Sequence, residues 1–212
     1  MRKAVLSVVV LATMMSGVAV GLQGITLQAQ AGPSAESADE LKTVALPDGT
    51  VLHYAERGQG VPVVFVHGSL NDYGVWTREL AFFATQFRAI TYSRRYNWPN
   101  TNVIRSGHSA VQDANDLAAF IKALRLGPVH VVGHSYGALT TLFLATRHPE
   151  LLRSIVLAEP PAVSLLAGLA ADQSKAARAT LEDIETRVKE MQKAWRGGDR
   201  EEGMRVFFTW NT

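Results

Sequence analysis

The residues best equipped for chemistry stand together in Gly133-His134-Ser135-Tyr136-Gly137. A serine hydroxyl is a poor nucleophile at neutral pH. It needs a general base to take its proton and N–H donors to hold the oxyanion that forms when it attacks a carbonyl. Gly-x-Ser-x-Gly alone is a weak pattern, but its setting is specific. Val129-His130-Val131-Val132 ahead of it reads as a buried strand, and Tyr136 to Arg147 behind it reads as a helix. A sharp strand-to-helix turn strains the serine backbone and exposes its hydroxyl. Side chains at 133 or 137 would collide across that turn, which accounts for both glycines and for the small Ala138. The alternative is a turn whose glycines serve packing alone.

Two backbone donors can be named. One is the N–H of Tyr136, at the start of the helix, where free N–H groups and the helix dipole favour negative charge. The other lies in His67-Gly68-Ser69-Leu70, after the apolar run Pro62 to Val66. There Gly68 permits close backbone approach, and the N–H of Ser69 is the best candidate. Standing alone, His67-Gly68 would read as a strand-end turn.

The elements that must position these groups are legible. Lys42 to Leu46 and Thr50 to Ala55, joined through Pro47-Asp48-Gly49, read as a hairpin. Pro62 to Val66 has the continuous apolar character of a strand buried on both faces. Trp76, Leu80, Phe83 and Phe87 form one helical stripe, and Arg88 to Tyr92 reads as a strand. Val111, Ala114, Leu117, Ile121 and Leu124 mark a second helix, which stops at Gly127-Pro128. The helix from Tyr136 is ended by His148-Pro149, and Ser154 to Ala158 is the next strand. This alternation predicts an α/β fold, a mostly parallel, doubly wound sheet covered on both faces. Beyond Pro161 the pattern is helical only. Leu181, Ile184, Val188, Met191 and Trp195 share a face, and Asp199 with Glu202 reads as the cap of a further helix.

His67-Gly68-Ser69, Tyr92-Ser93-Arg94-Arg95, the Ser135 pentapeptide and Ile155-Val156-Leu157-Ala158-Glu159-Pro160-Pro161 carry a resemblance. The chain from Leu41 to about Thr212 resembles α/β-hydrolase-fold proteins, in the group of serine hydrolases that includes esterases, cofactor-free haloperoxidases and carbon–carbon bond hydrolases. The resemblance implies a core over residues 41–160 and a helical cap segment over 161–212. It implies cleavage of an ester or related acyl bond of a small molecule through a Ser135 acyl-enzyme, with no metal or organic cofactor. It also implies a triad in the order Ser, acid, His, the histidine following the last strand. Within 212 residues the last two strands, that acid and that histidine have no counterpart. The expectation is therefore a C-terminally incomplete chain whose strand Ser154 to Ala158 is an open sheet edge.

The six histidines offer little in substitution. His67 belongs to the oxyanion turn, and His134 flanks the nucleophile with its ring directed away. His53, His130 and His148 lie on a hairpin strand, a buried strand and a helix end. His108 is the one open case for a base, in the long loop after Tyr92. Glu159 is a candidate acid, because some relatives draw their carboxylate from the end of that strand; otherwise it is a carboxylate lining the pocket. Tyr92, Arg94, Arg95, Tyr96 and Trp98 read either as substrate or cap contacts or as a half-buried loop anchor. Two other functions stay open: a catalytically inactive truncated hydrolase or binding module, and a haloperoxidase-like or perhydrolase-like enzyme using the same residues.

A hydrophobic fraction of 47% with 19% charged residues is that of a globular chain. Arg2-Lys3, the apolar stretch Ala4 to Leu22 and Ala29-Gln30-Ala31 read residues 1–31 as a signal peptide cleaved after Ala31. The mature chain would be periplasmic or secreted. An uncleaved membrane anchor is the alternative, and only then is a membrane a partner. Residues 32–40 read as a disordered lead-in. Without Arg2 and Lys3 the 21 basic residues become 19, matching the 19 acidic ones, so no basic surface calls for nucleic acid. The absence of cysteine excludes disulfides and a lipidated cysteine.

Overall fold

The computed structural model describes residues 7–11, 40–161, 163, 167, 171 and 174–210. The strands are β1 (Ser7–Leu11), β2 (Lys42–Ala45), β3 (Val51–Arg57), β4 (Pro62–Val66), β5 (Arg88–Tyr92), β6 (Val129–His134) and β7 (Leu152–Ala158). The helices are α1 (Thr77–Phe83), α2 (Ala110–Ala123), α3 (Tyr136–Arg147), α4 (Lys175–Arg196) and α5 (Arg200–Trp210). The described strands form one sheet in the order β1-β7-β6-β4-β5-β3-β2. β3 is antiparallel to both β2 and β5, and all other pairs are parallel.

Alternation along each strand divides the core into two layers. Val63 and Phe65 of β4, with Ala55 and Ala89, face Leu80 of α1 and the aromatic rings of Trp76, Phe83 and Phe87. Val64 and Val66, with Ile90, Tyr92, Val129 and Val131, face Leu117 and Ile121 of α2 and Leu144 of α3. One change of parity would turn an entire strand inside out, so the apolar run of β4 requires helices on both faces.

That arrangement decides where a site can form. The chain leaves β4 toward the α1 face and leaves β6 toward the α3 face, yet β4 and β6 are neighbours. Loops departing in opposite directions from adjacent parallel strands open a crevice at their carboxyl ends.

The hairpin forms around Gly49 at φ 83°, with the Thr50 N–H donating to Asp48 Oδ1 at 3.0 Å. The Trp76 to Phe87 stripe is shared among a short 3-10 turn (Tyr73–Trp76), α1 and the chain beyond it. β6 runs on to His134, so the strand delivers the serine directly.

One expectation is corrected. With residues 1–31 in place the outer edge of β7 is not open: β1 pairs along it in parallel, Ser7 opposite Ser154 and Leu11 opposite Ala158, so the open edge applies only to a chain from which that segment has been removed. An edge of unpaired N–H and C=O groups is a template for any apolar, β-branched run, and Ser7-Val8-Val9-Val10-Leu11 is one. The expected cleavage point at Ala31 and the lead-in up to residue 39 lie outside the described residues.

Two compact units divide after Pro161. In the second, the Ser174 Oγ accepts from the Ala177 N–H at the start of α4. Asp199 Oδ1 accepts from the Glu202 N–H at 2.9 Å, the cap read from the sequence. Any side chain at Gly203 would meet the Trp195 ring, so the two helices approach closely there.

Candidate active site

The turn between β6 and α3 is built by exclusion of side chains. A methyl group on Gly133 would stand 2.5 Å from both Gly137 O and Thr141 Oγ1, and one on Gly137 would run into the carbonyls of Val66 and His67. The first turn of α3 is thereby pressed onto the end of β4. Ser135, between them, has φ 51° and ψ −121°, a conformation that costs a non-glycine residue roughly 1–3 kcal/mol and persists only where its surroundings impose it. They do so through hydrogen bonds. Its N–H donates to Ala158 O at 2.8 Å, and its carbonyl accepts from Ala138 and Leu139.

The loop after β4 meets this turn directly. A methyl group on Gly68 would stand 3.2 Å from Ser135 Cβ and 3.3 Å from His134 Nδ1, so no larger residue fits without displacement. Ser135 and Ser69 are half-buried and Leu70, at φ 59°, is exposed. The structure thus brings together the two segments that carry Ser69 and Tyr136, with Ser135 between them.

His67 is fully buried, and its two neighbours settle its tautomer. The Arg94 N–H donates to Nε2 at 3.0 Å, so Nδ1 carries the proton and donates to Gly68 O at 2.8 Å. Burial, reinforced by the Arg94 charge, pushes its pKa down to about 3 against the opposing bond to Gly68. A neutral ring with both nitrogens committed has no capacity to act as a base.

Each of the other five histidines is also engaged away from Ser135. His53 Nδ1 is 2.8 Å from Asn100 Oδ1, and His130 Nδ1 is 2.7 Å from Ser154 Oγ. His148 is 3.5 Å from Glu150. His108, the open case, has Nε2 3.0 Å from Asp113 Oδ1 and its ring edge-on to Tyr96. His134 Nε2 lies 3.5 Å from Glu159 Oε2. Glu159, in a left-handed conformation at φ 53°, directly follows the residue that receives the Ser135 N–H. Among the described residues no group of His, Asp and Glu is arranged to hold a metal ion.

Beneath the loop lies an ionic layer that sequence reasoning missed in part. Arg94 bonds Asp113 at 2.9 Å, and Arg95 bonds Asp116 at 2.6 and 2.7 Å and Asp48 at 2.8 Å. Both arginines are buried, as are Asp113 and Asp116. The hydrogen bond to Asp116 raises the Arg95 pKa despite burial. Arg95 and Thr50 in turn hold the Asp48 carboxyl down at about 2, although its own burial opposes them. Arg94 also donates to Gly68 O at 3.0 Å and lies 4.6 Å over the Tyr136 ring. Burial, and then Asp113, raise the Tyr136 phenol. The cluster from Tyr92 to Trp98 is therefore mixed. Tyr92, Arg94 and Arg95 anchor the loop, while Trp98 stays exposed and stacks on Tyr73. Asp113 and Asp116 carry a faint sequence signal, two acids three apart beside the apolar stripe of α2, as Arg94 and Arg95 are paired beside a strand end.

Comparison with known proteins adds to this geometry. A family model described as alpha/beta hydrolase fold matches residues 61–196. The (E)-2-((N-methylformamido)methylene)succinate hydrolase of Acinetobacter baylyi is 29% identical over 117 residues, 55% of this chain and 44% of that protein. A putative carbamate hydrolase of Pantoea ananatis is 32% identical over 110 residues, 50% of this chain and 40% of that protein. Among solved structures, E-2-(acetamidomethylene)succinate hydrolase superposes with a TM-score of 0.54 at 27% identity, covering 57% of this chain and 44% of its own. An epoxide hydrolase of Vigna radiata gives 0.53 at 26% identity, covering 55% and 39%. The chain thus spans less than half the length of each of these four proteins.

Proposed function

The chain belongs to the alpha/beta hydrolase fold family, and on that premise we propose that it is a serine hydrolase that cleaves an acyl bond, ester or amide-like, of a small molecule. Ser135 attacks the carbonyl and gives up its hydroxyl proton, the bond from the acyl carbon to the alcohol or amine breaks, that group leaves carrying the proton, and the acyl-enzyme remains. The N–H groups of Tyr136 and Ser69 receive the oxyanion, and water releases the acid. The observation that carries this reading is the strained Ser135 turn set against the Gly68 loop, at the carboxyl ends of the neighbouring strands β4 and β6. Relatives named for carbamate and for acylaminomethylene-succinate hydrolysis support an acyl carbon bonded to nitrogen or oxygen as the reacting centre.

The test is covalent. A fluorophosphonate probe should label the protein at Ser135, and Ser135→Ala should abolish labelling while leaving the melting transition in place. An unlabelled parent would defeat the claim that this serine is activated.

A binding role is the second reading, favoured by one observation: every one of the six histidines has a partner other than Ser135. Saturable binding of small esters or amides without labelling or turnover would select it. Export is part of the proposal, with residues 1–31 removed, and rests on the leader pattern. It would take β1 from the β7 edge, and the mass of the protein recovered from its producing cells tests it.

A further inference from the structure

An oxyanion hole works only if two N–H groups from different segments are held at fixed separation before the charge develops. Here those segments are the loop after β4 and the first turn of α3. The residue that touches both belongs to neither. Arg94, in the loop after β5, donates from Nη2 to Gly68 O at 3.0 Å and lies with its Cζ 4.6 Å from the centre of the Tyr136 ring.

The contact with Gly68 acts on the donor itself. Gly68 C=O and Ser69 N–H are the two ends of one planar trans peptide, so whatever orients the carbonyl orients the N–H in the opposite sense. That carbonyl accepts two hydrogen bonds, from Arg94 Nη2 and from His67 Nδ1. The Arg94 backbone N–H in turn holds His67 through Nε2. Asp113, bonded to Nη1 at 2.9 Å and itself buried, fixes the guanidinium in its plane. The peptide plane carrying the Ser69 N–H is thus set by a chain of directed bonds that begins at Arg94, and the same guanidinium packs on the residue that supplies the second N–H.

We propose that Arg94 is a positioning residue of the oxyanion hole, holding the Ser69 and Tyr136 N–H groups at the separation the oxyanion requires. This rests on the serine-hydrolase reading above. Lysine would keep the charge that Asp113 needs but lacks the planar fork that bonds Gly68 and Asp113 while stacking on Tyr136.

The experiment compares the parent with Arg94→Lys and with Arg95→Lys as the control. Arg95 is in an equally buried ion pair, with Asp116, and makes no hydrogen bond to Gly68 or Tyr136. Amide hydrogen exchange at Ser69 and Tyr136 is measured alongside turnover of p-nitrophenyl acetate. Arg94→Lys is expected to speed exchange at the two amides about tenfold, leave Val64 and Val131 unchanged, and lower kcat by about 10- to 100-fold with KM within about twofold. Arg95→Lys is expected to lower Tm without either effect. Unchanged exchange at Ser69 and Tyr136, equal acceleration across the whole sheet, or a rise in KM alone would overturn the proposal. A parent that neither labels nor turns over would instead sink the reading of the site, and the exchange rates would still decide whether Arg94 holds the two amides.

Discussion

The backbone N–H of Ser135 donates to the carbonyl of Ala158 at 2.8 Å, so the serine turn is bonded to the end of β7 as well as to its own helix. This bond ties a left-handed serine to a neighbouring strand that is itself followed by a left-handed residue, Glu159. Strain in the turn is therefore imposed by the sheet, and can be measured.

Ser135→Gly should be more stable than Ser135→Ala by about 1 kcal/mol. Glycine relieves a backbone cost of roughly 1–3 kcal/mol at φ 51° and gives back about 0.4–1 kcal/mol in unfolded-state entropy. Both variants lack the hydroxyl, so the comparison isolates the backbone. Denaturant melts of the two would show equal midpoints if the turn were unstrained.

Gly137→Ala should be among the most damaging single-methyl additions. Its new carbon meets the carbonyls of Val66 and His67, which belong to the sheet and its exit and cannot move aside, and overpacking of this kind costs about 1–3 kcal/mol. Gly49→Ala is the comparison, because its surroundings are open and only its φ of 83° resists a side chain. A Gly137→Ala protein melting as high as Gly49→Ala would mean that α3 can withdraw from β4.

The buried His67 links stability to pH. Its folded pKa of about 3 lies below the ordinary 6.5, so between these values the unfolded chain binds a proton that the folded chain does not. Stability from this residue is complete above about pH 6.5 and is lost as pH falls toward 3, with a slope of up to about 1.4 kcal/mol per pH unit. Replacing His67 with Gln should flatten ΔG against pH between about 6 and 4, whatever it does at pH 7. An unchanged slope would show that His67 does not carry the linkage.

Asp48 acts in a lower window. Its carboxyl, held near 2 by Arg95 and Thr50 against an ordinary 3.8, contributes stability that is present above about pH 4 and lost as pH falls toward 2. The side chain is half-exposed, so screening reduces the effect to no more than about 1 kcal/mol. Asp48→Asn should lose that amount at pH 7 and show a shallower acid limb, read from urea midpoints at pH 7, 4 and 2.5.

How far the site was legible depends on the range of the interactions involved. Gly133, Ser135 and Gly137 form a turn within five residues, and Gly68 follows its own strand, so their types and spacing carry the information. Asp113 and Asp116 meet Arg94 and Arg95 across 19 and 21 residues, and nothing in a helix of mixed polarity says which of its acids is buried. The pairing of β1 with β7 spans 147 residues between Ser7 and Ser154, a separation over which local pattern carries no information. Strand pairing is specified by whichever edge remains, not by the strand's own residues.

The sequence by itself determined the alternation of strands and helices, the two faces of each strand and the sharp turn at Ser135. Each of these follows from local periodicity or from the space a glycine leaves. Only the tertiary structure decided that β4 and β6 are neighbours, that Gly68 lies against Ser135, that His67 is neutral with its proton on Nδ1, and that Arg94 reaches both Gly68 and Tyr136. These depend on strand order and on the burial of charge, which arise when segments distant in the chain share one low-dielectric interior.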